Sequence, residues 1–270
     1  MRPNKPQAVQ EGGANTLYTK DLQSDKFMRQ ESQYVYPYHY IPHFDQEGYG
    51  RRSRMLTWGY DYLCYMKHTA ELVRKLRPES VLDVGCGMGR FLGLLNGSIP
   101  TRVGVDLSRR AIEFAKLFDT NSAYYCIDPA ELDTTFDVVV AIQVLEHVPE
   151  ADVAKFINTL SDKARSNGSV IVVVPTTNIK LNPKHYRHYN IDVFRKELNE
   201  SDAPLRIDGV DYLCKTNVFY KTFMRLSYRW GWLFELSPIR KRVWEYYWRR
   251  LRLASEKDGA NMLVRMKKEV

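Results

Sequence analysis

The sequence predicts an α/β protein built on a doubly wound, mostly parallel sheet. Three observations predict it. Short apolar runs alternate with segments of helical period between Val81 and Asn178, the βαβαβ rhythm of a parallel sheet. The stretch VLDVGCGMGRF, Val81 to Phe91, sets a buried strand, a glycine turn and a helix start in direct succession. An acid, Asp106, closes the next apolar run, 21 residues beyond Gly85.

Composition bounds the rest. A chain of 270 residues with 44% hydrophobic content can bury one large core with decorations. It holds no run of about 18 apolar residues, so no membrane-spanning helix is expected. The start, MRPNKPQAVQEGG, lacks the apolar stretch of a secretory signal. Cys64, Cys86, Cys126 and Cys214 are far apart and fall in apolar elements. That favours reduced, buried thiols in a cytoplasmic protein over a disulfide framework or a zinc site. The formal charge of +8 is uneven: residues 215–270 hold 14 Lys and Arg against 5 Asp and Glu, leaving 26 against 27 elsewhere. The basic character of the C-terminal segment speaks of partners, not of fold.

Taken in order, residues 1–54 read as an N-terminal arm, and 55–270 as the main domain. Residues 1–30 are polar, with glycine and proline, and read as loosely ordered. Residues 34–44, YVYPYHYIPHF, are densely aromatic, and Pro37 and Pro42 exclude a regular helix there. This segment is either a packed surface arm or a lid that brings Tyr38 and His39 to a substrate. Residues 55–76 have helical periodicity, and Arg77 and Pro78 lead into the strand Val81–Val84. Gly85, Gly87 and Gly89 let a ligand approach the backbone, and the helix opening at Arg90 offers free N–H groups.

The turn departs from the dinucleotide fingerprint G-x-G-x-x-G, because its third glycine comes one residue early and Arg90 takes its place. Asp83, in the strand before the turn, would repel a pyrophosphate and suits a ligand carrying an ammonium group. A strand followed by D-x-G-x-G-x-G, with an acid at Asp106, resembles motif I of the class I S-adenosylmethionine-dependent methyltransferases. The resemblance covers about residues 55–215 and the last strand. It implies a seven-stranded, Rossmann-like sheet and S-adenosylmethionine as cofactor. It implies cofactor contacts from Asp83, Gly85, Cys86, Gly87, Gly89, Asp106, Leu107, Asp128 and Gln143. An acid at the end of the second strand accepts ribose hydroxyls in nucleotide-binding folds, which is the role expected of Asp106. Asp128 stands where the family contacts the adenine amino group.

The remaining elements follow. TRVGVD is the second strand, and Ser108 is a plausible cap for the helix RRAIEFAKLF. AYYCI is the third strand, and FDVVVAIQVLEHV, Phe136 to Val148, the fourth, running into a loop. V-L-E-H-V at this place is frequent in the resembled family. DVAKFINTLSDKA is a helix, and Gly168–Asn178 the fifth strand, opened by the Asn167-Gly168 turn. A helix follows from about Ile191, and APLRIDGVDYLC reads as the sixth strand. Residues 217–257 form a basic, aromatic helical insertion. The segment from Gly259 closes the sheet as an antiparallel seventh strand, as the family fold has it.

Methyl transfer to a hydroxyl needs positioning and commonly a base. His147, just past the fourth strand, is the first candidate; the alternative is that it packs on the cofactor or caps the next helix. Glu146 beside it could orient the histidine or touch the substrate. His185, Arg187, His188 and Tyr189 form a second polar cluster, read either as substrate contacts with a reserve base or as a solvated loop. A variant has Glu146, His147 and a later histidine bind a divalent metal, which would resemble the small-RNA 3′-terminal 2′-O-methyltransferases with their two glutamates and two histidines. Here Gln143, a poorer ligand, stands three residues before Glu146, so no metal is expected.

The function expected is methyl transfer to oxygen of a small molecule or glycan, including a lipid-linked one. The alternatives are an RNA methyltransferase and a non-catalytic cofactor-binding module. The insertion has three readings: a helical pair packed on the sheet or on a second copy of the chain, an interfacial helix at an anionic inner membrane face, or a nucleic-acid surface.

Overall fold

Residues 25–32, 43–44, 50–51, 59–218, 222 and 237–269 are described by a computed structural model. Tyr38, His39, the 34–42 part of the expected lid and residues 223–236 of the insertion lie outside these residues.

A short helix α1 (Asp25–Glu31) is followed by a two-residue antiparallel ladder, β1 (His43–Phe44) with β2 (Gly50–Arg51). The long helix α2 is described over Gly59–Leu76; residues 55–58 of the expected helix lie outside the described residues. Strand β3 (Ser80–Val84), helix α3 (Arg90–Leu94), strand β4 (Thr101–Val105), helix α4 (Arg109–Phe118) and strand β5 (Ala123–Tyr125) make the first half. Strand β6 (Phe136–Ile142), helix α5 (Val153–Lys163) and strand β7 (Ala164–Pro175) continue it. Helix α6 (Ile191–Glu200), strand β8 (Leu205–Lys215), helix α7 (Ser237–Tyr246), strand β9 (Leu253–Ala254) and strand β10 (Gly259–Lys268) complete the chain.

The sheet order is β5-β4-β3-β6-β7-β10-β8-β9. Neighbours from β5 to β7 are parallel, while β10 runs antiparallel to both β7 and β8. The sheet thus has eight strands rather than seven; the addition is β9, two residues paired antiparallel to β8 at the edge. The expected Asn167-Gly168 turn is instead a bulge within β7. Asn167 has φ 57°, and the register slips between Phe136/Ala164 and Val138/Ser169.

Alternate residues of each strand feed opposite faces. Val81, Val138, Val140, Ile171, Val173 and Leu263 meet α2, α3 and α4 on one side. Leu82, Val84, Val139, Val172, Val174 and Met262 meet α5 and α6 on the other. Strands covered on both faces need near-continuous apolar runs, which is how the sequence reads. Connections leave β3 toward β4 on one side and, later in the chain, arrive at β6 on the other. The switch point therefore lies between β3 and β6, at whose carboxyl ends a ligand crevice opens.

The described part of the insertion packs on the domain. Helix α7 runs into a π-helical turn, Tyr247–Leu251, which buries Tyr247 and Leu251. Val243, Trp244 and Trp248 pack half-buried against the same core face as α2. Lys67 and Arg252 lie 4.9 and 4.4 Å from the centre of the Trp248 ring. Three of the four thiols are buried as expected; Cys126 is exposed, because it follows the three-residue strand β5 at the sheet edge.

Candidate active site

The glycine turn is pinned to β4 before any ligand arrives. The amides of Gly85 and Cys86 both donate to the Val105 carbonyl, at 2.8 and 3.0 Å. Gly85, Gly87 and Gly89 all have positive φ, at 71°, 51° and 72°. A Cβ on Gly85 would run into Val144, and one on Gly89 would meet the Tyr124 ring within 2.6 Å of Cζ. Both positions therefore exclude a side chain twice, by φ and by space.

Asp106 binds this turn directly. Its carboxylate accepts from the Gly87 amide at 2.8 Å with one oxygen and from the Ser108 amide at 2.8 Å with the other. Each oxygen keeps a further lone pair, so two ribose hydroxyls can still donate to it. Burial pushes its carboxyl up to about 6, against the lowering effect of the Ser108 and Gly87 amides. Asp83 is buried beneath, and burial together with the Asp106 charge holds it well above the usual carboxylate range. Among the described residues no cation contributes to the Asp83 shift, and two acids coupled in this way suit a ligand that brings one. Ser108 caps α4 through the Ala111 amide, as expected.

Asp128 sits at the third strand end. One carboxylate oxygen accepts from the Ala130 amide at 2.8 Å, and the other is buried with no partner. An acceptor left unpaired in a buried place costs about 1–3 kcal/mol unless a ligand donor completes it. An exocyclic amino group fits it. Together with the glycine cradle and the lone pairs of Asp106, this meets what an adenosyl cofactor needs. Cys86 contributes only backbone here: its side chain lies under the turn, against Gly104. Leu107 is partly buried beside Asp106, and its carbonyl accepts from the Cys126 thiol at 3.6 Å.

Past β6 the chain turns sharply. Gln143 has φ 57°, a left-handed conformation uncommon for a residue with a side chain. Its amide donates to the Val173 carbonyl at 2.8 Å, and its side chain reaches Asn261 at 3.2 Å, on β10. That side chain is thereby turned to the sheet rather than into the cradle. The turn drives Val144 under Gly85 and starts a 3-10 turn, Leu145–His147, beside the cofactor loop.

Here three expected residues meet. Ligand atoms of Glu146, His147 and His185 lie within 4.8 Å of one another. The rings of His147 and His185 touch edge to face at 4.7 Å. Glu146 is fully buried, neither of its oxygens has a hydrogen-bond partner, and burial pushes its carboxyl up to about 8. Burial lowers His147 to about 4 and His185 to about 3, so both are neutral imidazoles at pH 7. His188 stands behind: its Nε2 lies 2.9 Å from His185 Nδ1, and its Nδ1 lies 3.2 Å from the Ile179 carbonyl.

Arg187 and Tyr189 do not join them. The loop backbone points these side chains the other way, toward α6. Arg187 lies 3.5 Å from Glu197 and 3.3 Å from the Tyr189 hydroxyl, and Tyr189 is fully buried against Phe194. These contacts hold both side chains toward α6 and apart from the histidine cluster, where substrate contact was expected.

Helix α1 corrects the expectation of a loosely ordered stretch over residues 1–30. Lys26 donates to the His185 carbonyl at 2.6 Å and to the Pro183 carbonyl at 3.3 Å, and lies 4.6 Å from the Tyr186 ring centre. The negative charge of Glu31, at the other end of α1, is felt at Asp106. So α1 lies against the loop that carries His185. Tyr124 was also missed: it hydrogen-bonds Asp119 at 2.9 Å and the Gly89 carbonyl at 3.2 Å, supporting the turn from below. Its neighbour in an edge strand carries the same residue type, and nothing in the pattern separates the two.

Comparison with known proteins agrees with this geometry. A family described as a methyltransferase domain matches residues 57–235. An uncharacterised protein of Methanocaldococcus jannaschii is 26% identical over 194 residues, which cover 70% of this chain and 78% of that one. A ubiquinone biosynthesis O-methyltransferase of Rhizobium rhizogenes is 29% identical over 179 residues, covering 58% of this chain and 69% of that one. Among solved structures, the N-methyltransferase NodS of Bradyrhizobium japonicum, in complex with S-adenosylhomocysteine, superposes with a TM-score of 0.56. It has 13% identity and covers 91% of this chain and 99% of that one. The magnesium protoporphyrin IX methyltransferase of Synechocystis, with bound S-adenosylmethionine, does so with a TM-score of 0.51 at 15% identity, covering 93% and 94%.

Proposed function

The chain belongs to the S-adenosylmethionine-dependent methyltransferases, and from that premise we propose that it methylates a hydroxyl oxygen of a small molecule or glycan. The observation that carries the choice of oxygen is the neutral His147 beside the glycine turn. Its amide bonds the carbonyl of Val144, whose side chain lies under Gly85, so the ring stands next to the cradle. An amine acceptor can attack while already carrying its lone pair, whereas a hydroxyl must shed a proton as it attacks. The similarity to ubiquinone biosynthesis O-methyltransferases supports the same reading.

The cofactor supplies an electrophilic methyl carbon and leaves as the thioether. The chain supplies position and a place for the proton. Asp106 and Asp128 fix the two ends of the adenosyl group, and Asp83 favours its ammonium. The free ring nitrogen of His147 would take the proton that an acceptor hydroxyl gives up. Exposed Lys241, Arg242, Arg249 and Arg250 support an acceptor delivered at an anionic surface, such as a lipid-linked one.

The test is transfer of labelled methyl from S-adenosylmethionine to matched panels of phenols, glycans, amines and short RNAs. Label on hydroxyl acceptors is expected, and His147→Ala should lower turnover by about 10²–10⁴-fold while S-adenosylhomocysteine still binds. Label on amines alone would overturn the oxygen reading, and label on RNA alone would replace the acceptor class.

A further inference from the structure

We infer that the acceptor carries an oxyanion, a phosphate or a carboxylate, and that Lys26 and Lys184 bind it beside His147. Three observations meet there.

The first is where the two lysines stand. The loop 182–186 is strapped to the 3-10 turn, because the Tyr186 amide donates to the Glu146 carbonyl at 2.8 Å. The Lys184 backbone hydrogen-bonds the His147 ring in the sense that favours its N–H. Lys26 reaches the same loop from α1, through the His185 carbonyl at 2.6 Å, the Pro183 carbonyl at 3.3 Å and the Tyr186 ring. Two lysines more than 150 positions apart thus converge on one pair of imidazoles, whose rings lie 4.7 Å apart.

The second is that their charge is unbalanced. Both side chains are half-buried. The partners of Lys26 are two carbonyls and a ring, none of them a counter-ion. Burial lowers the Lys184 ammonium, and no acid acts against it. Among the described residues neither lysine has a carboxylate partner. The acid that meets the two rings is Glu146, and burial pushes its carboxyl up to about 8, so it is mostly neutral at pH 7. Charges drawn out of water are ordinarily paired. Two unpaired ammonium groups on one loop are half of an anion site.

The third is what those charges do to the base. Burial first, and then the charges of Lys184 and Lys26, hold His147 at about 4. Burial, the rings of His147 and His188, and the same two lysines hold His185 at about 3. A general base works best when its pKa lies near the pH at which it acts. Unpaired lysines beside His147 work against that. An oxyanion between them cancels their effect and adds an attractive charge of its own, and an opposite charge within about 4–6 Å moves a pKa by about 1–3. An acceptor of this kind completes the site in which it reacts. This third observation rests on the hydroxyl reading; the first two do not.

The test uses the whole protein saturated with S-adenosylhomocysteine, with inorganic phosphate as the probe. Phosphate should shift the ring signals of His147 and His185 in nuclear magnetic resonance spectra at pH 7, and the shift should saturate. Lys184→Gln and Lys26→Gln should each weaken phosphate binding by about 10-fold or more, each removing one charged hydrogen-bond donor. Their affinity for S-adenosylhomocysteine should stay near that of the wild type. Lys180→Gln, in the exposed lysine ahead of the loop, should leave phosphate binding unchanged. In turnover, hydroxybenzoates and sugar phosphates should exceed uncharged phenols and free sugars by about 10-fold or more, a preference that Lys184→Gln removes. The same glycan offered as a soluble phosphate and as a lipid diphosphate separates the two sources of the group. If Lys26→Gln disturbs the fold, Lys184→Gln decides alone. No saturable shift, undiminished binding in a folded Lys184→Gln variant, or an equal loss from Lys180→Gln overturns the site. If phosphate binds at the lysines but methyl is found only on amines or in alkali-labile esters, the oxyanion site stands and the hydroxyl reading falls. If uncharged hydroxyls are methylated and phosphate does not bind, the reverse holds.

Discussion

At the scale of single residues, the cofactor cradle is set by two acids with opposed demands. Asp106 must be ionised to accept ribose hydroxyls with both oxygens, yet burial raises it to about 6. Affinity for S-adenosylhomocysteine should therefore fall by about 10-fold between pH 7 and pH 5, following one proton, and Asp106→Asn should weaken binding and flatten that profile. Isothermal titration across the range checks it; a pH-independent dissociation constant in the wild type would sink this role. Asp83 makes the complementary case. Its raised carboxyl means that the ligand-free fold is stabilised by protonation, and that this stability is lost as pH rises through its folded pKa. Asp83→Asn should raise the melting temperature of the ligand-free protein at pH 8 and cost about 1.5–3 kcal/mol in cofactor affinity. These acids were legible in the sequence because they sit in one short motif whose strand, turn and helix are local. The meeting of Glu146, His147 and His185 was legible only in part: V-L-E-H-V marks the first two, but the later histidine stands on another loop and the orphaned oxygens appear only once Glu146 is buried. The left-handed Gln143 was not legible, being a residue type with no preference for that conformation.

Elements place these residues, and two can be tested as units. The glycine turn is fixed by Val144, which comes from the loop after β6. Gly85→Val adds positive-φ strain of about 1–3 kcal/mol to a steric overlap with that side chain. It should displace the 145–147 turn as well as abolish cofactor binding, visible as faster amide exchange at His147. Helix α1 is the second unit. Lys26 ties it to the carbonyls of Pro183 and His185, so Lys26→Met should weaken acceptor binding by a few fold and raise exchange at Tyr186–His188. An unchanged exchange pattern would show that α1 merely rests on the loop. The strands and most helices were readable to within a few residues, since buried parallel strands announce themselves as apolar runs. Helix α1 was not: DKFMRQE has seven residues and its partner lies more than 150 positions away.

Over the whole molecule, charge and apolar surface are divided in the C-terminal segment. The aromatic stripe faces inward, with Tyr247 and Leu251 buried and Trp244 and Trp248 packed on the core, while Lys241, Arg242, Arg249 and Arg250 remain exposed. As far as the described residues go, attachment to an anionic bilayer would then be electrostatic, at about 1 kcal/mol per basic residue. Binding to anionic liposomes should be measurable at low salt, vanish at about 0.5 M salt, and be lost when the four residues become glutamine. Liposome flotation decides it, with RNA as competitor; persistence at high salt would show that the tryptophans reach the bilayer. Among the described residues no helix is long and apolar enough to cross a membrane.

The place of β10 has one more effect. Both neighbours of β8 in the sheet, β9 and β10, follow it in the chain, so β8 has no earlier strand to rest on. Strand β7 likewise waits about 90 residues for its second partner, Val173 for Leu263. This topology predicts that the parallel half, which can close on local crossovers, forms before β10 inserts between β7 and β8. Contacts so distant along the chain are slow to form, and open strand edges can meet other molecules in the interval. Destabilising changes in the last strand should therefore show first as lost yield on refolding at high protein concentration, before any loss of cofactor affinity in the molecules that do fold.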